Sequence, residues 1–356
     1  MFYNSEKNIV NISNSILKHY GVDTFHPSLK ELDEKLASSS KKICVLLFDG
    51  LGKHILKRYA SSCPFLLEHV FLDLTSVFPP TTVAATTALL SGRYPKETNW
   101  LGWTEQFEEF DSSITMFLSR FTKDESLTPI STYELCPYEN IISMISKKGY
   151  KANSIHSFML EDSSVDGFFN KTEEEVKNND FTYAYLTEPD SSMHKYGVFN
   201  QEVKNLIENI DARLKDLVSN NKDVSFIFLA DHGHQDAKYF HIEEHQDFYN
   251  TLRIDHFSIE PRACAFFVKE GLEERFKELA TKYYGEHFYI LSKEEVIKNN
   301  VFGLGKENER FRYCIGDFLL VSKDEWAFNQ GEEEGLKSHH AGSSKEEIEI
   351  SLAWFN

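Results

Sequence analysis

Five short stretches of this sequence hold residue types that can do chemistry, and each is spaced in a way that limits the chemistry. Asp49-Gly50 closes an apolar run, and Asp231-His232-Gly233-His234 closes a second. In Asp190-Ser191-Ser192-Met193-His194 the two donors are four residues apart, so on a helix they share one face, and an oxygen with an imidazole suits zinc. Ser338-His339-His340-Ala341-Gly342 offers a late pair of imidazoles beside small residues. Finally, Pro79-Pro80-Thr81-Thr82 opens a run of small residues ending at Ser91-Gly92, a good helix start whose free N–H groups would hold an anion beside Thr82. A threonine hydroxyl is a poor nucleophile at neutral pH unless a cation lowers its pKa, so a working threonine here predicts a metal close by.

Each stretch also has an ordinary reading. Asp49 could cap a helix, the threonines could serve only as an N-cap, and His234, His241, His245 and His339 could be surface histidines. What sets the group apart is its placement. Lys41–Gly50 contains a continuous apolar run from Ile43 to Phe48, Val224–Ala230 precedes Asp231, and Thr182–Leu186 runs into Asp190. Continuous apolar runs of this length are the pattern of strands buried on both faces of a parallel sheet, and ligands bind at the C-terminal edge of such sheets. Three strands each delivering a carboxylate to that edge predict one site there.

Between the last two strands, Val203, Leu206, Ile207, Ile210, Leu214, Leu217 and Val218 recur at helical spacing, predicting a crossover helix over 201–220. The alternation predicts an α/β fold, doubly wound, with a mostly parallel sheet and helices on both faces. After Asp247 the sequence reads as strand, helix, strand and strand, giving a small α+β cap lobe inserted at about 245–330 within a single catalytic domain over residues 1–356.

Composition narrows the partners. With 38 Lys+Arg against 56 Asp+Glu, the net charge of −18 disfavours duplex nucleic acid and anionic membrane surfaces. No apolar stretch reaches the ~18 residues of a membrane span. The five cysteines have no paired spacing and read as reduced thiols, so the expected location is cytoplasmic, while the oligomeric state is left open. Gly50-Leu51-Gly52 lacks the third glycine of a dinucleotide loop, since position 55 is Ile, which argues against a nucleotide-cofactor oxidoreductase. His232-Gly233-His234 alone would suit a metal-dependent amidohydrolase, but that reading leaves Thr82 and Asp49 without a use.

Taken in order, strand-Asp49-Gly50, Thr82 in a small-residue helix closed by Ser91-Gly92-Arg93-Tyr94-Pro95, Asp190-x3-His194, Asp231-His232-Gly233 and His340-Ala341-Gly342 resemble the alkaline phosphatase superfamily. Within it the sequence is most similar to the nucleotide pyrophosphatase/phosphodiesterase branch. The resemblance implies a nucleophile ten positions before the glycine that closes its helix, which is Thr82 relative to Gly92. It implies that Asp49, Thr82, Asp231 and His232 hold one zinc, and that Asp190, His194 and His340 hold the other, with His339 as the alternative to His340. Two Zn2+ per chain are expected, with Mn2+ as a substitute. The implied activity is hydrolysis of a small phosphate ester or nucleotide, foremost a phosphodiester, through a phosphothreonine. The alternatives are a phosphomonoesterase or a catalytically silent metal-binding interaction protein. Where the family places a phosphate-contacting Asn this sequence has Trp103, with Asn99 nearby, and both are expected to contact substrate. Trp100 and Trp103 either stack on a base at the mouth of the site or anchor their loop in the core, and Glu260-Pro261-Arg262 either orients a substrate or, as the favoured reading, forms only a surface ion pair. No CxPxR setting for a sulfatase, and no serine nucleophile with the large insertion of a phosphoglycerate mutase, is present.

Overall fold

A computed structural model describes residues 2–39, 42–331 and 335–356; Lys41, at the head of the first apolar run, lies outside them. The three predicted strands form as Lys42–Phe48, Phe181–Leu186 and Val224–Leu229. From Ile43 onward every residue in them is buried, so both faces of the sheet are covered. All three are parallel, with Phe48 opposite Leu186 and Leu47 opposite Leu229. That register brings Asp49 and Asp231 out at one edge.

The full sheet runs in the order 70–75, 349–355, 224–229, 42–48, 181–186, 152–156. Glu349–Phe355 is antiparallel to both its neighbours, and the remaining strands run the other way. One helix layer contains Ile9–His19, Thr82–Ser91 and Ile141–Lys147. Another contains Val165–Asn178 and the crossover helix Gln201–Asn220, which buries Val203, Ile207, Ile210, Leu214 and Leu217 as its periodicity predicts. The fold is the expected α/β class.

The second sheet is antiparallel, in the order 288–292, 318–322, 263–266, 258–260, 104–107, 112–115, 120–121. Four of its strands come from the span expected to form a cap lobe. The other three come from 104–121, far earlier in the chain, joined to them where Thr104 pairs with Ile259. A separate aromatic core of Phe248, Phe266, Phe276, Tyr284, Phe318 and Phe328 lies under the later strands. All five cysteines are free and buried. Among the described residues no helix is long and apolar enough to cross a membrane.

Candidate metal centre

The site forms at the C-terminal edge of the parallel strands. Asp49 follows the strand Lys42–Phe48 directly, and its N–H donates to the Leu186 carbonyl of the adjacent strand at 2.9 Å. Asp231 follows Val224–Leu229 by two residues, and its Oδ1 accepts from Gly50 N at 3.1 Å and His232 N at 3.0 Å. Asp190 opens the short helix Asp190–Tyr196, which carries His194 one turn later on the same face. The turns bearing Asp49 and His232 also meet backbone against backbone at Gly52 and Gly233. A side chain on Gly52 would lie 2.5 Å from Gly233 Cα, and one on Gly233 would lie 1.9 Å from the Glu346 carbonyl oxygen. Only glycine fits at either place.

Thr82 is the first residue of the helix Thr82–Ser91, which Gly92 ends in the left-handed conformation with φ 69°. The Thr82 hydroxyl lies 3.2 Å from His232 Nε2 and 3.4 Å from both carboxylate oxygens of Asp49. Thr81 does not cap the helix. Its hydroxyl donates to Glu260 Oε1 at 2.5 Å, and the same oxygen accepts from Trp103 N at 2.8 Å.

Two groups of donors converge, Asp49 with Asp190 and His232, and Asp190 with His194, His234 and His340. Asp190 belongs to both. His194 Nδ1 faces the Ser338 carbonyl at 2.8 Å, and His232 Nδ1 faces the Gly233 carbonyl at 3.0 Å. A proton on each Nδ1 leaves Nε2 as a lone pair turned into the site, the arrangement common in metal-ligating histidines. Of the late doublet, His340 Nε2 is 3.8 Å from Asp190 Oδ1, whereas His339 Nδ1 accepts from His340 N at 3.1 Å and lies outside both donor groups.

Electrostatically the arrangement calls for a cation. Asp49, Asp190 and Asp231 crowd together, and among the described residues each of their ion pairs is with a histidine, never with Lys or Arg. Burial, then the neighbouring Asp190 charge, pushes the Asp49 carboxyl up, even though Tyr185 O–H donates to it. Burial and Asp49 push Asp231 up further, and its Oδ2 has no hydrogen-bond partner. Burial opposes charge on His232, but Asp231 and Asp49 outweigh it and lift that ring to about 10. Buried carboxylates are tolerated when paired or metal-bound, and metal-bound is what this donor set fits.

Several expectations need correction. His234 and His339 are not surface histidines; both are buried, and His234 Nε2 sits 2.7 Å from Asp190 Oδ1. The available signal was the spacing of two from His232, which puts both side chains on one side of an extended segment. Asn99 is not poised for substrate. It takes the left-handed conformation with φ 58°, is fully buried, and donates to Glu105 Oε2 at 3.1 Å. Trp100 is also fully buried and anchors its loop by donating to the Cys136 carbonyl at 2.9 Å, whereas Trp103 keeps 45% of its surface exposed. Glu260 and Arg262 form no surface ion pair. Both are buried, Glu260 holds Thr81 and Trp103, and Arg262 pairs with Glu347. The Arg262 guanidinium donates through Nε to Glu347 Oε1 at 2.7 Å and through a terminal nitrogen to Oε2 at 2.9 Å. Glu347 in turn accepts from Gly342 N at 2.7 Å with its side chain and from Gly233 N at 2.7 Å with its carbonyl, so it ties the two histidine-bearing loops together.

Residues 43–346 match the family model for type I phosphodiesterase/nucleotide pyrophosphatase. Venom phosphodiesterase 2 of Crotalus adamanteus is 28% identical over 130 residues, and venom phosphodiesterase of Naja atra 28% over 129. Each alignment takes in 35% of this chain, which spans only 14% of the length of those relatives. Among solved structures, murine ectonucleotide pyrophosphatase/phosphodiesterase 5 superposes with a TM-score of 0.65 at 17% identity, covering 88% of this chain and 87% of that one. The same enzyme is known as an inactive variant in complex with AMP. Phosphonoacetate hydrolase from Sinorhizobium meliloti, in complex with phosphonoformate, gives a TM-score of 0.68 at 13% identity over 88% of this chain and 90% of that one. The family match spans most of the sequence, and the superpositions extend the same fold over nearly all of it: this chain belongs to the type I phosphodiesterase/nucleotide pyrophosphatase family, in the alkaline phosphatase superfamily.

Proposed function

We propose that this protein is a two-metal phosphoric-ester hydrolase that acts on a small phosphodiester or nucleotide through a phosphothreonine at Thr82. The observation that carries the reading is the Thr82 hydroxyl at a helix start, 3.2 Å from His232 Nε2 and 3.4 Å from Asp49, facing carboxylates that no Lys or Arg among the described residues neutralises. Asp49, Asp231, His232 and Thr82 would hold one ion, and Asp190, His194 and His340 the other. Two Zn2+ ions there, or Mn2+ in their place, supply the charge that lowers the pKa of the threonine hydroxyl and offsets the charge on the phosphoryl oxygens.

Thr82 Oγ attacks phosphorus, a P–O bond to threonine forms, and the bond to the leaving alkoxide or nucleotide breaks in line. Free N–H groups of the first turn of the Thr82–Ser91 helix face the phosphoryl oxygens. Water then displaces threonine from phosphorus in a second in-line step, and two inversions give net retention. Glu260 holds Trp103 N and the Thr81 hydroxyl together, which fixes the loop against the helix start. Trp103, exposed at that point, supplies a flat apolar surface for the leaving group. The substrate preference for AMP-like groups is supported by the related enzyme bound to AMP, and the cytoplasmic location by five buried free thiols.

The test is turnover of bis(p-nitrophenyl) phosphate by the zinc-loaded chain, with acid-quenched samples analysed for a p-nitrophenyl phosphoryl group on the peptide that contains Thr82. Hydrolysis with label at Thr82 supports the reading. Hydrolysis without it, under conditions where the second step is rate-limiting, removes the covalent step.

A further inference from the structure

We propose that His234 is a fourth protein ligand to the ion held by Asp190, His194 and His340, so that side chains alone close that half of the centre. The inference rests on the metal reading above and adds to it a residue which that reading leaves unused. One ligand atom from each of these four residues lies within 4.8 Å of the other three. Zinc with bonds of about 2.0–2.1 Å in a tetrahedron sets its donors about 3.3 Å apart. The separations here bracket that value, with His234 Nε2 at 2.7 Å from Asp190 Oδ1, His194 Nε2 at 3.5 Å from Asp190 Oδ2, and His340 Nε2 at 3.8 Å from Asp190 Oδ1.

The His234 ring cannot turn away to a better partner. It is fully buried, its Nδ1 has no partner, and the rings of His194 and His340 flank it with centroids at 4.5 and 5.2 Å. The backbone between His232 and His234 is held as well, since Gly233 N donates to the Glu347 carbonyl at 2.7 Å and the Glu346 carbonyl leaves no room for a side chain at 233. His232 turns toward Asp49 and His234 toward Asp190, so one turn of chain supplies both halves.

The assignment has a chemical consequence. Three imidazoles and a carboxylate fill a tetrahedral zinc, so substrate oxygen or water must enter as a fifth ligand. They also favour zinc over manganese, which prefers an oxygen-rich set. His234 is thereby a determinant of metal choice.

The full-length chain is stripped of metal, loaded with Zn2+ or Co2+, and measured by X-ray absorption at the zinc edge and by visible absorption of cobalt. Wild type should show four imidazoles shared by two ions. His234→Ala should show three, a changed cobalt spectrum, and a loss of zinc affinity at one site exceeding the ~10–100-fold typical of an outer-shell partner. The ratio of zinc to manganese affinity should fall with it. His339→Ala should leave the cobalt spectrum unchanged. Three imidazoles in wild type overturn the proposal even if His234→Ala does not fold, and so does a cobalt spectrum that His234→Ala and His234→Gln leave intact. Wild type that takes up neither metal refutes the underlying metal reading instead, whereas two ions with three imidazoles leave that reading standing and remove only His234.

Discussion

Removing the Arg262 guanidinium should be among the most costly single changes in this protein. Arg262 and Glu347 are both fully buried. Besides its two bonds to Glu347, Arg262 donates to the Trp326 carbonyl at 3.0 Å and to the Asp324 carbonyl at 2.5 Å. Arg262→Ala therefore leaves a buried carboxylate without its counter-charge, at about 3–5 kcal/mol, while the two carbonyls keep other donors, Gln235 Nε2 and the Ser322 hydroxyl on Asp324 and the Ser322 hydroxyl on Trp326. A loss of about 3–5 kcal/mol is a large share of the whole stability of an ordinary domain. Glu347 keeps four donors, Gly342 N, Gln235 Nε2 and the N–H and hydroxyl of Ser344, none of them charged, so the stranded charge is only partly met. Arg262→Met with Glu347→Gln leaves no buried charge and should recover at least half of the loss. Urea denaturation of the wild type, Arg262→Met, Glu347→Gln and the double variant completes the cycle. A coupling below ~1 kcal/mol, or singles that simply add, would refute the idea that the pair is held by mutual charge rather than by packing.

Thr82→Ala should lower turnover by at least ~10³, about 4 kcal/mol of transition-state stabilisation, while Thr82→Ser keeps a hydroxyl and retains part of the activity. Thr81→Ala should cost much less turnover and about 1–3 kcal/mol of stability through its bond to buried Glu260; a dead Thr81→Ala beside an active Thr82→Ala would reverse the assignment. Metal analysis after zinc reconstitution should find close to two ions per chain, lost on chelation, with Asp49→Ala emptying one site and leaving the Asp190/His194 site partly filled. A model diester should be cleaved faster than the matching monoester, because among the described residues no Lys or Arg pairs with the site carboxylates to help hold a dianion; reversed rates would make the protein a phosphomonoesterase. Burial lifts the Glu105 carboxyl to about 8. A raised carboxyl pKa stabilises the fold fully below ~4.5 and loses that contribution as pH rises through ~8. Glu105→Gln should therefore flatten the decline in stability over that window, by a few kcal/mol at most, as read by thermal unfolding across pH.

Much of the architecture was legible because it is written in local pattern. The crossover helix takes the bounds 201–220 set by its periodicity, and the three apolar runs become the parallel strands that carry Asp49, Asp190 and Asp231 to one edge. What stayed hidden depends on partners distant in the chain. Strands 104–107 and 112–115 are short, with polar residues on positions that become buried, and they acquire meaning only by pairing with each other and, through 104–107, with 258–260. Arg262 reads as a surface cation until Glu347, 85 residues later, is seen beside it. Asn99 looked like a substrate contact because of its neighbours in sequence, but its left-handed backbone turns the amide inward to Glu105. His234 was readable by its spacing from His232, yet the same spacing is common among ordinary histidines.

The backbone contact of Gly52 with Gly233, and of Gly233 with the Glu346 carbonyl, bears on how such an enzyme could change what it acts upon. Where Gly52 meets Gly233, the turns that carry Asp49 and His232 approach main chain against main chain, with no side chain at either position whose size could be varied. The rim is built differently. Trp103, which Glu260 holds beside the Thr81 hydroxyl, leads into the second sheet and remains exposed. Directed evolution toward a new leaving group should accumulate its changes at and around Trp103 and leave positions 52 and 233 untouched, since reshaping the rim does not disturb the distances on which the chemistry depends.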